Sequence, residues 1–281
     1  MVVDEAQIER FAAMGTRIEL HAFGRADTAA LVAARHAVTA VDDALTIHRP
    51  SPATALNAAL LAGRVAQVDE PLLLDALIAA DEAHRTTFGL FDIAADPRTS
   101  GRWTMVAFDR AAATVSADRP LALDFGGLGK GIALDHAATV LRERGVRSAL
   151  LTAGESSICV VGEHPLGGQW PFAIPHPLDE SAELLTVELL DAALSISATV
   201  GAGTAAPERA AMVRPGDCAV VDAPRCAVAI GDTGASAEAM STALIVADPG
   251  RAARLLDGAP GHRFSFELFA VDTAQAIGKF S

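Results

Sequence analysis

Apolar residues recur along this chain with two different periods, and segments of the two kinds are interleaved. A spacing of three to four residues, typical of one buried helix face, predicts helices over residues 27–43, 55–62, 71–87, 132–143, 235–246 and 251–256. Alternating or short continuous apolar runs predict strands over residues 17–23, 65–68, 105–109, 114–116, 121–124, 148–152, 158–161, 172–174, 184–189, 193–197, 226–231 and 264–271. The order lacks the regular strand–helix–strand rhythm of a parallel sheet, which predicts the α+β class.

Residues 121–136, LALDFGGLGKGIALDH, join a predicted strand to a predicted helix through a glycine-rich turn. The run from Leu121 to Asp124 is apolar with one acid, and the turn after it contains four glycines and Lys130. Glycines let the backbone approach an anion closely, and a helix start offers unpaired N–H groups, so this order suits a phosphate group. The spacing matches neither G-x-x-x-x-G-K-[ST] nor G-x-G-x-x-G. An ordinary glycine turn with a surface lysine explains the stretch equally well.

The composition is that of a globular protein, with 281 residues, 51% hydrophobic residues and a formal net charge of −13. The negative charge argues against a nucleic-acid groove and against binding to anionic lipid, whereas a phosphate ligand needs only local cations or a metal. Residues 1–10 lack the apolar region of a secretory signal, and no lipid-attachment cysteine lies near them. No run reaches the roughly 18 apolar residues of a membrane span. We therefore expect a soluble, cytoplasmic protein without membrane insertion.

Five residues are candidates for chemistry, and each also has an ordinary explanation. Asp124 in a buried strand needs a partner, which is either a ligand or the N–H groups of its own turn. Lys130 opposes the helix dipole, a penalty that a bound anion would relieve, although an exposed lysine fits as well. Glu238 and Thr242 lie four residues apart on one helix face, where they form either a hard oxygen site for Mg²⁺ or a plain surface pair. His48 also has two explanations: it either stacks on the ring of a ligand or lies exposed in its loop.

Several motifs together resemble the ApbE family of flavin transferases over residues 11–246. The matching segments, in chain order, are Met14-Gly15-Thr16; Thr46-Ile47-His48 followed by Asn57; Gly89-Leu90-Phe91-Asp92; Asp124-Phe125-Gly126 with Lys130-Gly131 and Asp135; Leu150 to Gly154; and Ala237-Glu238-Ala239-Met240-Ser241-Thr242-Ala243. Each segment alone is weak evidence. The lysine–glycine segment and the S-T-A segment, in this order and separation, are specific.

The resemblance implies a single α+β domain over residues 1–281, with mixed or antiparallel sheets, packed helices and a cleft for FAD. A member of this family splits the FAD pyrophosphate with Mg²⁺, releases AMP and attaches FMN through a phosphoester to a Thr or Ser of a target protein, such as a flavoprotein redox subunit. By this resemblance Glu238 and Lys130 are catalytic, and the metal ligands are the Gly127 carbonyl, Glu238 and Thr242. The residues implied in contact with FAD are Met14, His48, Asn57, Leu90, Phe91, Asp92, Asp124, Lys130 and Val213.

Four positions depart from the family pattern. The family usually has Asp where this chain has Glu238, and the extra methylene shifts the carboxylate by roughly an ångström in a site that demands near-ideal octahedral geometry. The family histidine is Ala211 here, a loss worth roughly 10²–10⁴-fold in rate if that histidine moves a proton. His48 stands where the family usually has an aromatic residue, and Glu155 stands where the family has a glycine. Two alternatives therefore stay open: an FAD pyrophosphatase that releases FMN and AMP, and an FAD-binding protein with impaired catalysis.

Overall fold

The computed structural model describes residues 6–24, 28–96, 98, 100–200, 212–221, 223–258, 261–268 and 275–276. The helices in these residues are α1 (Thr28–Leu45), α2 (Pro52–Leu61), α3 (Pro71–Thr86), α4 (Gly129–Glu143), α5 (Gly234–Val246) and α6 (Pro249–Asp257). The strands are β1 (Gln7–Ala13), β2 (Thr16–Ala22), β3 (Ala66–Gln67), β4 (Val106–Asp109), β5 (Thr114–Ala117), β6 (Ala149–Ala153), β7 (Ser157–Val161), β8 (Trp170–His176), β9 (Asp179–Leu189), β10 (Ala193–Ala198), β11 (Arg225–Gly231), β12 (Arg263–Glu267) and β13 (Gln275–Ala276). A short 3₁₀ helix spans Trp103–Met105.

Eight strands form the main sheet in the order β1-β2-β6-β7-β10-β11-β12-β13. A second sheet has the order β3-β5-β4, and β8 pairs with β9 in a separate long hairpin. Every pairing between these strands is antiparallel. The predicted α+β class is therefore confirmed, and within the described residues its sheets are antiparallel.

Helices α4 and α5 lie between the main sheet and the other helices. α4 packs against β6, β7 and α1, and α5 packs against β10, β11 and α4. In α5, ten of its thirteen residues are buried, as expected for a helix that is apolar around most of its circumference. Because α5 is enclosed in this way, the side chain of its one acid, Glu238, ends inside the protein.

The chain before α4 differs from the predicted buried strand at residues 121–124. Leu121 and Leu123 are buried, but the segment joins no sheet. The Asn57 side chain takes the place of a neighbouring strand: its Nδ2 donates to the Leu123 carbonyl at 2.9 Å, and its Oδ1 accepts from the Leu123 N–H at 2.8 Å. Asp124 is exposed and accepts from the N–H of Gly126 at 2.8 Å, so its predicted burial is wrong.

Two further differences concern the ends of elements. The N-terminal segment forms a hairpin, in which the unpredicted strand β1 pairs with β2 across the Met14-Gly15 turn. The helix predicted from residue 132 begins three residues earlier, at Gly129, so that Lys130 lies in its first turn. Among the described helices none is long and apolar enough to cross a membrane.

Candidate active site at two helix starts

The buried carboxylate of Glu238 lies where α5 meets the first turn of α4. Glu238 is only 3% exposed, and each of its oxygens has a partner. Oε1 accepts from the Ser157 hydroxyl at 2.6 Å and lies 3.1 Å from Nζ of Lys130, while Oε2 accepts from the N–H of Gly131 at 2.9 Å. A buried charge is tolerated only when it is paired and hydrogen-bonded. These three donors meet that requirement.

Helices α4 and α5 each supply a carboxylate that binds the start of the other helix. Asp135 of α4 accepts from the N–H groups of Gly234 and Ala235 at 2.6 and 3.1 Å, and Glu238 of α5 accepts from Gly131. Negative groups at helix starts satisfy unpaired N–H donors and favour the helix dipole. The two backbones also touch, because a Cβ added to Gly131 would lie 2.3 Å from the carbonyl carbon of Gly234. Glycine at both positions is what permits this approach.

The glycine turn before α4 offers an anion fewer backbone donors than its sequence suggests. The N–H groups of Leu128 and Gly129 both donate to the Phe125 carbonyl, at 2.9 and 2.8 Å. The N–H of Gly131 is engaged by Glu238. These three N–H groups are therefore not available to an anion, whereas the side chain of Lys130 is 25% exposed.

The β1–β2 turn places Met14 over the same helix start. Met14 has a positive φ of 54°. Its Cε would lie 2.5 Å from a Cβ added to Gly129, so its side chain reaches the first residue of α4. Asp42 of α1 holds the turn by accepting from the Met14 N–H at 3.2 Å, and the same carboxylate pairs with Arg49 at 3.2 Å. Asp42 thus links the Met14 turn to the exposed loop that carries His48.

The G-L-F-D segment approaches the glycine turn from another side. Leu90 and Phe91 are buried, and a Cβ added to Gly127 would lie 3.0 Å from the Phe91 ring. Asp92 accepts from the N–H groups of Trp103 and Ala94. Burial raises the pKa of Asp92 despite those hydrogen bonds.

An open cavity of about 430 Å³ adjoins this segment, within the usual size range of small-molecule sites. Gly89, Asp92 and Gly216 are among the residues that line it. Cationic side chains also line it, namely Arg85, Arg102 and Arg251. The cavity thus combines a segment predicted to contact FAD with positive charge, on a chain whose net charge is −13.

The remaining predicted site residues have mixed placements. Val213 lies in the described segment 212–221, where it forms an isolated bridge with Val220. Asn57 uses its carboxamide on the Leu123 backbone, so its role toward a cofactor stays a prediction. Thr242 is half-buried one turn after Glu238 on α5. Ala211, where the family has histidine, lies outside the described residues.

The oxygen donors at this site fit a hard divalent cation in their chemistry. Glu238 offers a carboxylate, Thr242 a hydroxyl one turn later on the same helix, and Gly127 a backbone carbonyl in the adjoining turn, which is the kind of set that Mg²⁺ prefers. The described residues contain no cluster of three or more His, Cys, Asp or Glu side chains that could hold a metal. A metal here would accordingly depend on neutral oxygens beside the single carboxylate.

Two residues of this arrangement were missed by sequence reasoning. Ser157 donates to Glu238 from the start of β7, and Asp42 organises the Met14 turn. Each depends on a contact between segments distant in sequence, 81 and 28 residues apart respectively. No local spacing carries such a signal.

We expect the Asp135 carboxylate to reduce stability as the pH rises. Burial raises its pKa from 3.8 to about 6, with the neighbouring Glu238 charge adding to the shift and the N–H bonds of Gly234 and Ala235 opposing it. Between these two values the unfolded chain releases the proton while the folded chain retains it, so folding becomes less favourable with increasing pH. Relative to Asp135→Asn, the wild type should lose up to about 1.4 kcal/mol per pH unit between pH 4 and 6. Urea unfolding of both proteins across this range measures it, and a constant difference would contradict it.

Comparison with known proteins identifies the group to which this arrangement belongs. The model of the ApbE family matches residues 14–264, so the chain belongs to the ApbE family. The structure resembles the apo crystal structure of the flavinyl transferase ApbE from Pseudomonas stutzeri, with a TM-score of 0.81 and 21% identity over 98% of this chain and 95% of the other. None of the curated proteins compared with the chain matches it.

Two further structures have the same fold. The flavin transferase ApbE from Vibrio cholerae matches with a TM-score of 0.81 and 16% identity, covering 98% of this chain and 97% of the other. The ApbE protein from Thermotoga maritima matches with a TM-score of 0.79 and 17% identity, covering 93% and 94%. At these identities the likeness concerns the fold, and the predicted ApbE-like fold is thereby confirmed.

Proposed function

We propose that this ApbE-family protein is a Mg²⁺-dependent transferase that moves FMN from FAD to a Thr or Ser of a protein acceptor and releases AMP. The observation that carries the proposal is the buried Glu238 carboxylate, paired with Lys130 at the start of α4 beside the glycine turn. Family membership supports the flavin and the transfer chemistry. The acceptor is a protein of the flavoprotein redox class.

Each residue of the site has a proposed role in binding FAD or the metal. Lys130 neutralises charge on the pyrophosphate of FAD, and the Met14 turn and the Leu90–Asp92 segment border the space in which the cofactor is oriented. Glu238, Thr242 and the Gly127 carbonyl would hold the metal, which would neutralise charge on the leaving phosphate and make the attacked phosphorus more electrophilic. His48, Asp124, Asn57 and Val213 are proposed as further cofactor contacts.

The bond changes balance without any further reactant. The acceptor hydroxyl forms a bond to the FMN-side phosphorus, the P–O bond to AMP breaks, and the hydroxyl proton is lost to solvent or to AMP. Ala211 stands where the family has histidine, so this chain lacks that side chain for the proton. This favours one second candidate, an FAD pyrophosphatase in which water replaces the acceptor hydroxyl.

Product analysis distinguishes these functions. We expect incubation with FAD, Mg²⁺ and purified flavoprotein redox subunits to give an FMN adduct on one acceptor together with an equal amount of AMP, both detected by mass spectrometry. Omission of Mg²⁺ with EDTA present serves as the control and should abolish both products. Free FMN with AMP and no adduct would establish the pyrophosphatase instead. Intact FAD, bound and unchanged by Mg²⁺, would contradict both and indicate an FAD-binding protein with impaired catalysis.

A further inference from the structure

The ammonium group of Lys130 occupies one oxygen of the carboxylate that is proposed to hold the metal. Its Nζ lies 3.1 Å from Oε1 of Glu238, and the same oxygen accepts from Ser157 at 2.6 Å. A carboxylate oxygen offers about two lone-pair positions, so both positions on Oε1 are filled. Oε2 accepts from the N–H of Gly131, which leaves one of its two lone-pair positions open.

Lys130 is the one partner of Glu238 that can move without disturbing the fold. Gly131 donates through the backbone of α4, and Ser157 is 2% exposed at the start of β7, so both are fixed by their elements. The Lys130 side chain is 25% exposed and ends in a flexible stem. A cation that binds Glu238 through Oε1 must therefore displace the ammonium group, whereas the other two donors can stay.

The same ammonium group is the principal cation that the start of α4 can offer to an anion. The N–H groups of Leu128, Gly129 and Gly131 are consumed within the protein. Lys130 therefore has two alternative partners, the carboxylate of Glu238 and the phosphate groups of a ligand. It cannot neutralise both fully at the same time.

We propose that Lys130 is the internal counter-cation of Glu238, and that its transfer to the FAD pyrophosphate frees Oε1 of Glu238, so that Mg²⁺ can bind through this oxygen. Binding of FAD and binding of Mg²⁺ are then coupled through one side chain, and each favours the other to the same extent by thermodynamic linkage. In the absence of FAD, Lys130 competes with Mg²⁺ for Oε1 and keeps the buried carboxylate neutralised. This inference rests on the proposed function for the identity of the two ligands.

Two binding measurements on the full-length protein test this coupling without reference to turnover. Titration calorimetry with MgCl₂ in the absence of FAD should show that Lys130→Met binds the metal about 5- to 150-fold more tightly than the wild type, the usual range of coupling factors. Flavin fluorescence in EDTA should show that the same variant binds FAD more weakly. Lys130→Arg keeps the charge and should resemble the wild type in both measurements.

A merely structural role of Lys130 would not make the variant bind Mg²⁺ more tightly and FAD more weakly at the same time. If Lys130→Met binds Mg²⁺ no more tightly than the wild type, while the wild type still shows Mg²⁺-dependent FMN transfer, the coupling is wrong and the proposed function stands. If no variant binds Mg²⁺ even with FAD present, both are wrong. Lys130→Gln repeats the test with a polar side chain, and thermal unfolding confirms that each variant is folded.

Discussion

Replacement of Glu238 by glutamine should reduce FMN transfer and AMP release by at least about 100-fold, because the site loses the buried negative charge that is proposed to hold the metal. The amide keeps the length of the side chain but carries no charge to hold a metal or to pair with Lys130. Its NH₂ group also has to face one of the donors that now bind the carboxylate, Ser157 or Gly131. Initial rates of AMP release at saturating FAD and Mg²⁺ measure the effect.

The matched control is Glu238→Asp, which keeps the charge and restores the residue usual in the family. Its shorter side chain should lose contact with Ser157 or Gly131 yet retain activity within about tenfold of the wild type, because the hard oxygen ligand remains. A Glu238→Gln protein with a rate close to that of the wild type would show that Glu238 serves only the fold. Melting temperatures of both variants separate loss of chemistry from loss of structure.

Replacement of Gly131 by alanine should destabilise the protein by about 1–3 kcal/mol, since a methyl group has no room between α4 and α5. The added Cβ would lie 2.3 Å from the carbonyl carbon of Gly234, 2.4 Å from its oxygen and 2.6 Å from the N of Ala235. All three are backbone atoms, so relief requires one helix start to move. That movement would separate Glu238 from the Gly131 N–H and disturb the site as well. Urea unfolding and AMP release measure the two consequences.

Gly250→Ala provides a matched comparison in the first turn of α6. There a Cβ would meet only the Asp248 carboxylate, at 3.5 Å, which is an ordinary contact. In a helix alanine is favoured over glycine by about 1 kcal/mol, so this variant should be at least as stable as the wild type. Equal effects of the two substitutions would mean that the close approach of α4 and α5 is not what requires glycine at residue 131.

The apolar pattern was sufficient to predict the helices, because most of them bury one repeating apolar face and α5 is apolar around most of its circumference. It failed at residues 121–124, where two buried leucines imitate a strand. The Leu123 N–H and carbonyl bond to the Asn57 side chain, 66 residues away, and the Asp124 N–H donates to the Ile93 carbonyl, so no neighbouring strand is needed. An apolar run indicates that a segment is buried, but it does not indicate which group forms hydrogen bonds with its backbone.

Several residues of the candidate site were named from the sequence, but the contacts between them were not. Lys130 and Glu238 were both named through the family resemblance, yet the contact between them joins two helices across a long sequence separation. The neighbouring Gly131–Glu238 hydrogen bond likewise spans 107 residues. The glycines of the turn were interpreted as a cradle for phosphate. In the structure, glycine is required at residue 131 because the backbone of Gly234 lies so close. Several N–H groups of the turn already have hydrogen-bond partners within the chain.

The exchange of carboxylates between α4 and α5 also limits how the site can move. Asp135 and Glu238 tie each helix to the backbone of the other at three N–H groups, and the contact between Gly131 and Gly234 leaves no gap between them. A hinge at this junction would have to break all three hydrogen bonds together, so the two helix starts behave as one rigid body. Under the proposed function, admission of FAD would fall to the parts around these two helix starts, the Met14 turn and the loop with His48, which the Asp42 carboxylate links together.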